Sequence, residues 1–381
     1  MAGRPLGLID RPRTESPMAL DTLSDVLRGV RLRGAVFFNV SGSGDWAAEA
    51  PPAREIAPLL MPGAEHVIEY HAVAQGSCWA AIPGGPSVRL ERGDAVLFPH
   101  GDGHVVSSSP GLRGRIDFDF LADAGPDPFP VRVAYRGQEI SHSRALDSDA
   151  ETMVVCGFLA CDLQPFNPLI ASLPRLLHLQ ADADSAWIAG FSQQAAAESQ
   201  ARRPGGQAML ARMSEMMFVD AVRRHAEQMP ADSSGWLAGL RDRFVGRALA
   251  LLHEEPARDW SIDELGRRIG LSRSALHERF LALVGIAPMQ YLAQWRMQAA
   301  ARLLLETRAT VAAVALEVGY ESEAAFARAF KRQVGAPPAA WRRERQALMS
   351  DLPRTAAQSE LAPATTAVSN IARAGRDSGS T

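Results

Sequence analysis

The feature that most restricts this chain is an internal repeat. Ser272, Leu276, Phe280, Val284, Gly285, Pro288 and Tyr291 recur 50 residues later as Ser322, Phe326, Phe330, Val334, Gly335, Pro338 and Trp341. Self-similarity at one fixed offset means one supersecondary unit built twice. Each copy opens with a short helix. Ser261-Ile262-Asp263-Glu264 reads as a capping box, and Thr310 is placed to cap the second copy. Gly270 and Gly319 follow at the turns, where positive φ carries no steric penalty for glycine. Ser272 and Ser322 then cap a second helix whose apolar residues fall at i, i+4 and i+8, so that one stripe faces inward. Gly285 and Gly335 stand where C-terminal caps belong. One long helix, about 288–307, joins the copies and carries Leu292, Trp295, Ala299, Leu303 and Leu304 on one side.

A short helix, a glycine turn and a second helix with a polar outer face is the helix-turn-helix layout, whose second helix enters the major groove. Two such helices on one face of a duplex should stand ~34 Å apart. The competing reading is a helical solenoid, but solenoids usually need roughly three or more copies. Charge supports the first reading. Residues 241–345 hold 17 Lys and Arg against 12 Asp and Glu, an excess of five, which leaves −8 for the rest of a chain whose net charge is −3. A basic module on an acidic body fits a double-stranded DNA partner for the module alone.

The stretch WSIDELGRRIGLSRSALHERF through ATVAAVALEVGYESEAAFARAFKRQVGAPPAAW closely resembles the AraC/XylS DNA-binding domain, over about 105 residues. Trp341, where that family usually has Tyr or Phe, and Ala336-Pro337 before Pro338 are its departures. The resemblance implies reading helices over 273–284 and 323–333. It points to Ser274, His277 and Glu278 in the first, and Glu323, Ala324, Ala327 and Arg328 in the second, as base-reading positions. Arg328 has the geometry for a guanine edge, Glu278 for cytosine N4, and the alanines for a thymine methyl. Arg273, Arg279, Lys331 and Arg332 read as phosphate neutralisers. For each of these charges the alternative is a solvated surface residue.

Upstream the period changes. Over 20–160, short apolar runs such as 35–40, 78–82 and 95–98 alternate with turn clusters SGSGD, PGGP, ERGD and HGDG, a sandwich or barrel pattern. Residues 165–252 turn helical, with Leu169, Leu173, Leu176 and Leu177 in one helix, and Met209, Met213, Met216, Met217 and Val222 in another. The methionine stripe is either a dimer seam or a face that docks on the β domain. The run from Gly93 through Pro99 and Gly101 to His104 matches the second cupin motif, and Gly63-x5-Glu69-Tyr70-His71 the first, with Glu69 in place of a histidine. The N-terminal part therefore resembles the cupin-type domain of some AraC-type regulators. His71 and His104 facing inward, with Cys156 from a later strand and a carboxylate, would make a metal site that suits Zn better than redox iron. The alternative is hydrogen-bonded core histidines and a small buried cysteine.

The expected architecture is an α+β two-domain protein: a cupin-like β-barrel plus helical segment, then an all-α double helix-turn-helix. The divisions are a disordered 1–17, a sensor over 18–162, a helical linker or dimerisation segment over 163–235, the DNA-binding domain over 240–346, and a disordered tail over 350–381. The function this implies is a sequence-specific DNA-binding transcription regulator, responsive to an unidentified small-molecule effector and acting as a homodimer. RNA polymerase joins as a partner if it activates. The alternative is a cupin metalloenzyme with an accessory DNA-binding part; the incomplete ligand set speaks for regulation and against an enzyme. Three cysteines are too few for a disulfide framework, and neither a secretory h-region nor an apolar run of membrane-spanning length occurs. A cytoplasmic protein without a membrane partner is expected. Arg328→Ala should relax specificity at one base pair, whereas Lys331→Ala should weaken binding to all duplexes and flatten the salt slope by about one. Competition binding across operator variants and salt concentrations checks the pair.

Overall fold

The computed structural model describes residues 17–350, apart from 31, 62, 117–130, 138, 143–149, 182–185 and 202. The segments 1–16 and 351–381, expected to be disordered, lie outside the described residues. The chain enters with helix α1 (Pro17–Gly29), where a β-rich start was expected. Leu23, Val26 and Val30 fall on one helical face and are buried.

Eleven strands follow among the described residues: β1 (Arg33–Ser43), β2 (Ala47–Ala50), β3 (His66–Gln75), β4 (Ser77–Ala81), β5 (Val88–Glu91), β6 (Ala95–Phe98), β7 (His104–Ser107), β8 (Val131–Arg136), β9 (Glu139–His142), β10 (Thr152–Cys161) and β11 (Leu177–Leu179). Helix α2 (Ala53–Leu60) interrupts them early. They build a seven-stranded sheet, ordered β11-β6-β3-β10-β1-β8-β9, and a four-stranded sheet, ordered β2-β7-β4-β5. The two inner faces meet over Phe38, Val40, Val73, Phe98, Val106 and Phe158, which are buried together. β3 is buried on both faces, so its pattern is nearly continuous rather than alternating.

The outer face of the large sheet is covered by two helices, α4 (Ala186–Ala201) and α5 (Gly206–Gln228). Tyr70 on β3 reaches Ser214 Oγ on α5 at 2.5 Å and lies 6.4 Å from the Phe191 ring on α4. The methionine stripe divides: Met217 is fully buried at this interface, while Met209 and Met216 point outward. The leucine run expected as one helix does not form one. Helix α3 (Pro168–Ala171) lasts a single turn, and 177–179 becomes β11, paired with β6 through Leu177↔Leu97 and Leu179↔Ala95. A short apolar run satisfies either period, and the open sheet edge beside β6 decides it.

The C-terminal part is all helix: α6 (Trp236–Arg241), α7 (Arg243–Glu254), α8 (Ile262–Ile269), α9 (Arg273–Val284), α10 (Pro288–Glu306), α11 (Val311–Glu317), α12 (Glu323–Val334) and α13 (Pro338–Ser350). The caps form as the sequence indicates. Ser261, Ser272, Thr310 and Ser322 each accept a hydrogen bond from the backbone N–H three residues on. Gly270, Gly285 and Gly335 close helices in the left-handed conformation. Leu276 and Phe280 of α9, and Phe326 and Phe330 of α12, are fully buried. The connector α10 feeds both cores: Tyr291, Leu292 and Trp295 join the first, and Met297, Ala300, Ala301 and Leu304 join the second.

Gly319 has φ +84°, and a Cβ there would come within 2.6 Å of the Ala257 carbonyl oxygen. Gly319→Ala should therefore destabilise the second unit by more than about 1 kcal/mol. Phe326→Ala should cost about 3–5 kcal/mol through the cavity it leaves. Urea unfolding of the full chain checks both.

Candidate functional site: a barrel cavity and two reading helices

Two places carry chemistry, and strand periodicity builds the first. Glu69 and His71 are two residues apart on β3, so both face the space between the sheets while Tyr70 faces outward. The antiparallel register puts Cys156 of β10 beside His71 and Phe158 beside Glu69. His104, first residue of β7 on the small sheet, comes from the opposite wall and stacks on Phe98 with ring centroids 3.7 Å apart. The motif glycine Gly101 makes this approach possible. Its φ is +66°, and a Cβ would meet the Val67 carbonyl oxygen at 2.9 Å.

The result is a cavity of about 110 Å³. Its walls are mostly apolar, including Val40, Ile56, Val106, Val133 and Val154, with Glu69, His71 and His104 as a polar cluster. These three are all buried, and their ligand atoms lie within 4.8 Å of one another. Burial pushes the Glu69 carboxyl up to about 8, lowers His104 to about 4, lowers His71 well below the usual imidazole range and raises the Cys156 thiol. At neutral pH the cluster is therefore uncharged. The 3.8 Å approach of His104 Nε2 to Glu69 Oε2 is a contact between neutral groups, not an ion pair.

The proton positions follow from the acceptors. His104 Nδ1 is 2.9 Å from the Asp102 carbonyl oxygen, so it donates and leaves Nε2 with a lone pair. His71 Nε2, 2.6 Å from that lone pair, must then be the donor. His71 Nδ1 becomes an acceptor, and the Cys156 thiol, 2.8 Å away, donates to it. Glu69 Oε1 has no hydrogen-bond partner. Cys156 sits against the far nitrogen of His71, while Glu69 groups with His71 and His104. The signal was present in the sequence: Glu69 and His71 share a strand face.

The donor set fits a divalent ion. Two imidazoles and a carboxylate are a known zinc set, and the buried, unpartnered Oε1 is an oxygen ligand with nothing else to bind. Loading would rearrange the protons. His71 would shift its hydrogen to Nδ1 and donate to Cys156, as metal-bound imidazoles do to an outer acceptor.

The second place is the outer surface of α9 and α12. Ser274, His277 and Glu278 are exposed on α9, as are Glu323, Ala324 and Arg328 on α12, while Ala327 is half-buried. Lys331 and Arg332 are exposed near the end of α12. Arg273 lies 3.6 Å from Asp263 in an exposed pair. Arg279 is exposed and paired within the protein. It grips Asp242 through Nε and Nη2 at 2.5–3.0 Å, and Asp242 in turn caps α7 by accepting from the Phe244 and Val245 N–H groups.

A cupin barrel joined to a double helix-turn-helix defines a DNA-binding transcription regulator. Residues 21–227 match the Cupin family and residues 265–344 the Helix-turn-helix domain family. A putative AraC-like transcription regulator of Streptomyces lividans is 32% identical over 326 residues, spanning 85% of this chain and 98% of that protein. The HTH-type transcriptional regulator AlkR of Acinetobacter baylyi is 26% identical, over 85% of this chain and all of its own length. The DNA-binding domain of AdpA, solved in complex with a target DNA, is 32% identical and covers 29% of this chain and 98% of that one, with a TM-score of 0.28. The chain belongs to the AraC-like transcription regulators with a cupin N-terminal domain. That its relatives are named as regulators supports a non-enzyme role. No helix among the described residues is long and apolar enough to cross a membrane.

Because Arg279 anchors a cap, Arg279→Ala should lower the melting temperature by about 2 °C, in line with losing one partly exposed ion pair. It should also change the salt slope of DNA binding less than Lys331→Ala does. Calorimetry and salt titration of the two variants check this.

Proposed function

We propose that the barrel cavity is the effector site of this regulator and that its occupancy sets how the two reading helices meet DNA. The observation that carries the reading is the cavity itself: a mostly apolar chamber with a buried, uncharged cluster at Glu69, His71 and His104, and the Arg113-paired Glu49 also on its wall. Such a chamber suits a small molecule with an apolar body and a single polar end. Coupling has a short covalent route. β10 lines the cavity with Val154, Cys156 and Phe158, and the chain reaches the DNA-binding part within a few residues. There Phe166 donates its N–H to Gln298 on α10 at 3.0 Å, and its ring packs edge-on to Tyr291 at 5.4 Å. Pro165 accepts from Gln333 on α12 at 3.2 Å, and Glu65 pairs with Arg345 on α13. The sensor therefore holds the connector and the second unit together, and an effector with different affinity for two arrangements would shift them.

The orphaned Glu69 oxygen favours a second component, a divalent ion such as Zn²⁺ held by Glu69, His71 and His104 with Cys156 outside the ligand shell. A homodimer formed through the outward Met209 and Met216 of α5, and contact with RNA polymerase at activated genes, complete the proposal. Base reading by Ser274, His277, Glu278, Glu323, Ala324, Ala327 and Arg328 belongs to it as well, with Arg273, Lys331 and Arg332 on phosphates.

Genome-wide mapping of bound sites tests the regulator, and the substrates of neighbouring genes supply the molecules for thermal-shift screening. The cavity-filling Val154→Phe should abolish the response to a molecule found this way while sparing affinity for DNA alone. A response that survives Val154→Phe would place the effector elsewhere. For the ion, Zn²⁺ titration should show one equivalent per chain. His104→Ala and Glu69→Gln should weaken it more than tenfold, and Cys156→Ala less. Equal Zn²⁺ uptake by all four proteins would refute the site.

A further inference from the structure

A second cavity, of about 70 Å³, lies where the N-terminal helix α1 meets helices α7 and α10 of the DNA-binding part. Asp25 and Gly29 come from α1, His253 from α7, and Trp295, Gln298 and Arg302 from α10. The His253 imidazole is buried and stacks on Trp295 with centroids 3.8 Å apart. Burial lowers its pKa to about 3, so the ring is neutral. Its tautomer can be assigned. Tyr291 Oη accepts the Trp236 Nε1 hydrogen at 2.8 Å, and His253 Nε2, 2.7 Å away, is the acceptor that satisfies the hydrogen of this buried hydroxyl. The ring proton therefore sits on Nδ1. That N–H has no hydrogen-bond partner and faces Asp25 Oδ2 across 4.0 Å. The other Asp25 oxygen is engaged by Arg28 at 2.5 Å. Gln298 is a wall rather than a binding group: it donates to the Gly29 carbonyl at 2.8 Å and accepts from Phe166 N–H at 3.0 Å. Arg302 stands at the side of the cavity, its nearest carboxylate partner being Glu306 at 4.0 Å.

We propose that this junction cavity binds a small hydroxycarboxylate. A single atom about 2.8 Å from both His253 Nδ1 and Asp25 Oδ2 must accept from the first and donate to the second. A hydroxyl does both, an ammonium only donates and a carboxylate only accepts. Trp295 and Ala299 offer an apolar floor for the carbon skeleton, and the Arg302 guanidinium pairs with the carboxylate. The volume admits a skeleton of roughly three or four carbons. Because the lining comes from α1 on one side and α7 and α10 on the other, the occupant ties the sensor's leading helix to the connector. This site is separate from the barrel cavity and would give the regulator a second input.

Isothermal titration of the full chain with D- and L-lactate, propionate and glycerol tests it. One lactate enantiomer should bind at least tenfold more tightly than propionate, which lacks the hydroxyl, or glycerol, which lacks the carboxylate. Asp25→Ala and Arg302→Ala, both at half-buried positions that the fold tolerates, should weaken it at least tenfold. Glu69→Gln should leave it unchanged, which separates this site from the barrel. Propionate binding as well as lactate would overturn the assignment of the hydroxyl, and so would lactate binding that both variants leave intact. If no lactate binds, the cavity holds water alone and the proposal fails.

Discussion

One helix carries the mechanical logic of this protein. α10 contributes Tyr291, Leu292 and Trp295 to the core of the first helix-turn-helix unit and Met297, Ala300, Ala301 and Leu304 to the core of the second. A helix buried in two cores at once is not free to bend or rotate in either, because close-packed interiors resist small displacements. The separation of α9 and α12 is therefore a property of α10 and not of a loop. Any signal that alters DNA binding has to move α10, or move one unit against it. The sensor reaches both α10 and the second unit. Gln298 of α10 binds α1 and the 163–167 segment together, while Gln333 and Arg345 extend the same contact to the second unit.

The barrel cluster shows how burial alone can set a chemical state. Glu69, His71, His104 and Cys156 are charged or reactive groups in water, yet desolvation makes all four neutral at pH 7. Cys156, His71 and His104 then form an ordered run of hydrogen bonds from the thiol through both imidazoles to the Asp102 carbonyl. The Asp102 carbonyl can only accept, so it fixes the direction of this run, and Glu69 stands beside it, 3.8 Å from His104 Nε2. β10 carries Cys156, and the chain leaving that strand runs directly to Phe166 and α10.

Much of the helical half was legible in the sequence, because its determinants are local. Ser272, Ser322 and Thr310 cap helices through bonds to residues three positions away, and Gly270, Gly285 and Gly335 end helices by their own conformational freedom. Leu276, Phe280, Phe326 and Phe330 announce their burial by helical spacing. The barrel half was legible only as a motif. The inward placement of His71 and His104 was readable, but the seat of Cys156 on the far nitrogen of His71 was not. Proximity between strands depends on register, and the β3–β10 pairing brings Cys156 beside Nδ1 of His71. Leu177 and Leu179 became a strand rather than helix because β6 offered an unpaired edge. Arg279, a surface cation by its position, was claimed by Asp242, 37 residues earlier in the chain.

The sequence by itself determined the double helix-turn-helix, its caps, its turns and the identity of its outward residues, since each of these rests on interactions within a few positions along the chain. Only the tertiary structure decided the chemistry at long range: Glu69 joining His71 and His104, the unpartnered proton of His253 facing Asp25, and the grip of the sensor on α10. These depend on which strands pair and which helices pack, and no local spacing encodes the distance between residues that meet only after the chain has closed.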